Sequence, residues 1–109
     1  MSTVAMSDCE IAWLAGVLDS EGCFDYNRGN SNYLRIRIQM KDLDVIERVQ
    51  ALCGGRGRIR IEKRENPNHS DTYKFQVGQR DRVIDILQLI YPWMSQRRKK
   101  KIDAMLTAS

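Results

Sequence analysis

Ser7 to Phe24 read SDCEIAWLAGVLDSEGCF, an apolar helix bracketed by its own start and stop signals. Ser7 at the N-cap with Glu10 three residues on fits a capping box, each side chain bonding the other's free backbone amide. Ile11 through Leu18 then carry no polar side chain. A surface helix shows an apolar stripe and a polar face; this one is apolar all round and must be covered on more than one side. One stripe is Ile11, Leu14, Ala15 and Leu18; the other is Trp13, Gly16, Val17 and Ser20. Gly16 and Ser20, small and four apart, would let another backbone approach closely. Taken alone, such a helix suits either the centre of a core or a packed pair. It stops at Asp19-Ser20-Glu21-Gly22, turn-forming residues with two carboxylates.

Outward from this helix the hydropathy period switches to two. Cys23 to Asn27 alternates weakly, and Arg28 to Asn32 is a polar turn. Tyr33 to Lys41 alternates strictly, Arg35, Arg37, Gln39 and Lys41 against Leu34, Ile36, Ile38 and Met40, the signature of a half-buried strand. Asp42 is placed to cap a helix running to Leu52, with Leu43, Ile46, Val49 and Leu52 as its stripe and Gly54-Gly55 as a left-handed end. A second alternating run covers Arg56 to Arg64, and a third covers Thr72 to Val77 after a loop. A helix from about Arg80 to Tyr91 buries Val83, Ile84, Leu87 and Ile90 until Pro92 breaks it. A last helix runs from about Ser95 to Thr107 and opens on the basic run Arg97 to Lys101. Hairpin-joined strands with helices over one face make an α+β domain with an antiparallel sheet. No linker interrupts it, so residues 1–109 read as one domain.

Composition narrows the function. The 109 residues carry 18 Lys and Arg against 14 Asp and Glu, a net charge of +4. That excludes an acidic solvating chain and makes a polyanionic partner plausible. Three cysteines with no CxxC pair argue against a disulfide framework and against a zinc ribbon. No apolar run approaches the roughly 18 residues of a membrane span. The first residues lack the basic start of a signal peptide, so an intracellular, reducing compartment is expected.

Because side chains alternate across a sheet, the outer face collects Arg35, Arg37, Gln39, Lys41, Arg58, Arg60, Glu62, Thr72, Lys74 and Gln76. Arg and Lys suit phosphates and guanine edges, and Gln suits adenine. A charged sheet face can simply be wet, but this one is nearly single-signed. The balancing acids Asp42, Asp44, Glu47, Asp81 and Asp85 fall on the helices. The aromatics lie on the apolar face, against a single-strand stacking platform. The run at 97–101 reads as a wet helix face unless it lies near a cleft, where one of its cations could offset phosphate charge.

Leu14 to Gly22, LAGVLDSEG, resembles the LAGLIDADG signature, with identity at Leu14, Ala15, Gly16, Asp19 and Gly22. Trp13 before it and Cys23-Phe24 after it extend the fit, and the element order is similar to that family's αββαββα core with a C-terminal helix. The resemblance to LAGLIDADG homing endonucleases therefore covers nearly the whole chain. It implies that two motif helices pack side by side, and a single motif implies a homodimer joined through Trp13, Gly16, Val17 and Ser20. A two-fold dimer matches a palindromic or pseudo-palindromic duplex.

Carried over by position, the resemblance makes Glu21 the metal-binding acid and the backbone carbonyl of Ser20 a further oxygen ligand. Asp19 is expected to organise the helix end. All-oxygen ligation implies Mg²⁺, or another divalent cation such as Mn²⁺ or Ca²⁺, and no small-molecule cofactor. The implied activity is metal-dependent hydrolysis of both strands of double-stranded DNA across the minor groove. Gln39 at the end of the second strand, and Arg97 near the start of the last helix with Arg98 and Lys99 within alignment reach, complete the implied catalytic set. Asp25, Asn27 and Arg28 join the sheet residues as DNA contacts; Asp25 could accept from cytosine or structure its loop. His69 reads as incidental. The alternative on this scaffold is a non-cleaving RNA maturase or DNA-binding regulator.

Overall fold

The computed structural model describes residues 6–27, 29–63, 65 and 71–108. Arg28, Arg64 and His69 lie outside the described residues. Helix α1 (Asp8–Glu21) leads directly into β1 (Gly22–Asn27) and β2 (Asn30–Met40); α2 (Leu43–Leu52), β3 (Arg58–Glu62) and β4 (Thr72–Val77) follow. Helix α3 (Arg80–Ile90), a 3₁₀ turn (Tyr91–Trp93) and α4 (Gln96–Ala108) complete the order.

The capping box forms as expected. The Ser7 hydroxyl accepts from the Glu10 amide at 3.2 Å, and a Glu10 carboxylate oxygen accepts from the Ser7 amide at 3.0 Å. These bonds hold the Glu10 carboxyl below the usual carboxylate range. At α2, Asp42 occupies the N-cap position but its side chain makes no capping bond.

The strands form one antiparallel sheet in the order β1-β2-β4-β3. Its inner face buries Phe24, Leu34, Ile36, Ile38, Phe75 and Val77. Helix α3 lies over β2, α2 over β4 and α4 against β1, while α1 packs on α3. The first stripe of α1, Ile11, Leu14, Ala15 and Leu18, is buried in this layer.

Three expectations need correction. Strand β3 starts at Arg58 rather than Arg56, because Gly54, Gly55 and Gly57 all take positive φ (85°, 73° and 94°) and the chain becomes extended only after them. Its inward Ile61 is 56% exposed, since β3 is an edge strand that the helices do not fully cover. In α3 the buried set is Arg82, Val83, Ile86, Leu87 and Ile90, with Ile84 only half-buried. The inward face is therefore rotated from the predicted stripe and includes one guanidinium.

Candidate active site and nucleic-acid interface

The motif ends where helix becomes strand without a connecting loop. The Gly22 amide donates to the Leu18 carbonyl to close α1, and a Cβ at Gly22 would stand 2.5 Å from that same oxygen. Only glycine permits this close exit.

Arg98 fastens the junction from α4. Its guanidinium donates to the carbonyl of Asp19 at 3.1 Å and to that of Gly22 at 2.7 Å, and lies over the Phe24 ring. An Asp19 carboxylate oxygen accepts from the Ser95 amide at 3.0 Å, in front of α4. That amide and the Ser95 side chain hold the Asp19 carboxyl below its ordinary range, with Arg98 and Arg97 adding a smaller Coulombic effect. Asp19 thus joins the end of α1 to the start of α4, the organising role expected of it.

Glu21 projects from this fastened end, exposed. It lines a hollow of about 150 Å³ together with Cys23, Arg37, Ile38, Gln39 and Lys74. Gln39 and Lys74 are register partners on β2 and β4, so their side chains leave the same face. The Gln39 amide donates to the Thr72 hydroxyl at 2.6 Å. Thr72 is 8% exposed, so the residue expected to face DNA is buried and positions Gln39 instead.

Arg97 does not line this hollow; it lines a separate groove between β1 and α4. The cations beside Glu21 and Gln39 are Arg37 and Lys74. Alternation placed Lys74 on the correct face, but only the strand order brings it beside Gln39.

Across the outer face the register makes rows. Arg37, Gln76 and Arg58 form one, and Gln39, Lys74 and Arg60 form the next. The Asp25 carboxylate, on the same face, pairs with the Arg37 Nε at 2.6 Å. A second Arg37 nitrogen lies 3.3 Å from the Cys23 Sγ, which fixes the guanidinium plane. Arg35 donates to the Gly78 carbonyl at 3.4 Å and lies over the Tyr33 ring. Asn27 ends β1, where its side-chain oxygen accepts from the Gly29 amide at 2.8 Å. Lys41 and Glu62 are exposed at the far ends of β2 and β3.

A trough of about 580 Å³ runs over β3 and β4, lined by Arg35, Arg56, Arg58, Arg60 and Lys74 with Gln76, Gln79 and small neighbours. No carboxylate lines it. Arg56 and Gln79 were not among the expected contacts. Arg56 continues the 58/60 alternation and was legible in that pattern, whereas Gln79 had no sequence signal.

The second stripe of α1 stays open. Gly16 and Ser20 are exposed, and Trp13 and Val17 are half-buried. A Cβ at Gly16 would meet nothing within 4 Å. Trp13 is roofed by Arg48 at 4.1 Å, and the Ser20 hydroxyl donates to the Gly16 carbonyl at 3.1 Å.

The model of the LAGLIDADG-like domain matches residues 8–91. The fold is similar to the homing endonuclease I-CvuI, solved in complex with its target in the presence of Ca, at 18% identity and a TM-score of 0.66. That match covers 93% of this chain and 66% of I-CvuI. It is similar also to I-Vdi141I, an archaeal intron-encoded homing endonuclease complexed with DNA, at 22% identity and a TM-score of 0.63, covering 93% of this chain and 65% of that one. The chain thus spans just under two thirds of these relatives. No curated protein sequence gives a significant match. Because the family match runs from the first residue of α1 to the end of α3, the chain belongs to the LAGLIDADG-like domain family.

Proposed function

We propose that the chain cleaves double-stranded DNA at a specific site as a homodimer, by divalent-metal-assisted phosphodiester hydrolysis. The observation that carries this reading is the hollow where Glu21, Gln39 and Lys74 meet at the edge of a basic sheet face.

The residues fit a hard cation. Glu21 is exposed at the end of α1, and a carboxylate beside a backbone carbonyl is a hard, all-oxygen donor set. Mg²⁺ is commonly held that way, by one or two carboxylates with water and substrate phosphates. Glu21 and the Ser20 carbonyl would hold it. The chemistry such an ion would supply there is polarisation of the phosphate and a lowered pKa for the attacking water.

The chain's own groups do the rest. Gln39, steadied by Thr72, orients the water by hydrogen bonding. The Lys74 ammonium stands where negative charge develops on the phosphoryl oxygens. Arg37, held by Asp25, and the rows beyond it bind phosphates and base edges. The open α1 stripe supports the dimer: Gly16 and Ser20 admit a second helix at close range, setting two copies of Glu21 about one axis.

The test uses a duplex bearing the sequence formed by joining the flanks of the gene's insertion site. Purified protein should cut both strands with Mg²⁺, and cutting should vanish with EDTA or in Glu21→Gln while Glu21→Gln still binds. Duplex bound tightly but left uncut by the wild type would overturn the cleavage reading in favour of a binding module.

A further inference from the structure

We infer that the groove between β1 and α4 is a phosphate-backbone site, which carries the DNA contact past the edge of the sheet. This rests on the DNA reading above and adds a surface to it. The groove, about 540 Å³, is lined by Arg97, Arg98, Lys100, Lys101 and Ala104 of α4 and by Cys23, Phe24 and Asp25 of β1.

Positions 97, 100, 101 and 104 follow helical spacing, so they form one continuous stripe turned toward β1. Arg98 is committed to the α1–β1 junction. Arg97, Lys100 and Lys101 are exposed. Lys101 stands over the Tyr26 ring at 5.0 Å, which holds its ammonium against β1. The one carboxylate in the groove, Asp25, is already paired with Arg37. Among the described residues no carboxylate ion-pairs with the three exposed cations. A merely solvated helix face usually mixes signs; this one is concave and single-signed.

Its position fixes the ligand. The groove straddles the β1 edge, with inner-face Phe24 and Tyr26 on one side and outer-face Cys23 and Asp25 on the other, so the stripe borders the DNA-facing side at that edge. Four strands about 4.8 Å apart span roughly 14 Å, close to the ~12 Å width of a major groove. With strands laid along the groove, the β1 and β3 edges meet its two sugar-phosphate walls. Arg56 and Arg58 stand at the β3 wall, and the α4 stripe at the β1 wall.

The experiment is a salt titration of binding to a labelled duplex of random sequence, with wild type, Lys100→Ala/Lys101→Ala, and Lys100→Arg/Lys101→Arg, which keeps both charges. Each phosphate contact contributes about 0.9 to the slope of log K against log salt, so the alanine double variant should lose up to about 2 per protomer. The arginine double variant should match the wild type, and circular dichroism should show all three folded. An alanine double variant with the wild-type slope, or an equal slope loss in the arginine variant, overturns the assignment. Loss of binding to structured RNA alone, with the duplex slope intact, overturns it in favour of RNA. If the wild type shows no salt-dependent duplex binding, the DNA reading itself fails and takes this inference with it.

Discussion

Arg37 shows how one residue acquires a role that its type does not specify. Alternation makes it a DNA-facing cation; the Asp25 carboxylate at 2.6 Å and the Cys23 sulfur then fix the plane of its donors. A guanidinium held this way is set for bidentate contact with guanine, worth about 1–3 kcal/mol against the wrong base. Asp25→Asn should therefore relax the sequence preference at one base pair per half-site and leave overall affinity nearly unchanged. Selection from a randomised duplex pool reads this out; an unchanged consensus would refute it. Cys53 is the contrasting case, a buried thiol that burial pushes up to about 12. Its neutral form is the folded form, so its contribution is full below the ordinary thiol range and is lost as pH climbs toward 12. Native protein should expose Cys9 and Cys23 to a thiol reagent, and Cys53 only on unfolding. Rapid labelling of all three in the native state would contradict the burial.

At the scale of the elements, the turn between α2 and β3 decides where the basic strand begins. Gly57 has φ of 94°, and a Cβ there would stand 2.6 Å from the Phe75 ring. Gly55, with φ of 73°, faces open space. Gly55→Ala should therefore cost about 1–2 kcal/mol of left-handed backbone strain. Gly57→Ala adds a core clash and should cost roughly 2–5 kcal/mol. Urea unfolding of the pair measures the difference, and equal losses would mean that Phe75 yields freely. The same turn explains why β3 was predicted too long. Arg56 matches the alternation of Arg58 and Arg60, but Gly57 between them is not extended, and period two alone does not register that break.

For the whole molecule, the question is what covers the second stripe of α1. The first stripe is consumed by the core; Gly16 on the second meets open space. A side chain added there leaves the protomer's packing intact but stands in the path of a second helix. Gly16→Leu should keep the protomer's fold by circular dichroism and shift sedimentation from dimer toward monomer. A dimer of undiminished affinity would place the interface elsewhere. Charge distribution belongs to this scale too. A net charge of +4 says little by itself, whereas the trough over β3 and β4 and the stripe on α4 concentrate cations at both edges of the sheet.

The sequence by itself determined the capped apolar helix, the position of the motif at its end, the order of the elements and the face each strand residue takes. All of these rest on local signals: caps, turn residues and hydropathy period. Tertiary structure decided which polar groups meet. Pairing of β2 with β4 set Lys74 beside Gln39 and Glu21, packing of α4 on β1 sent Arg97 to a different groove, and burial turned Thr72 from a DNA contact into the support of Gln39. Those meetings depend on strand order and register between residues far apart in the chain, and no local period encodes which strands become neighbours.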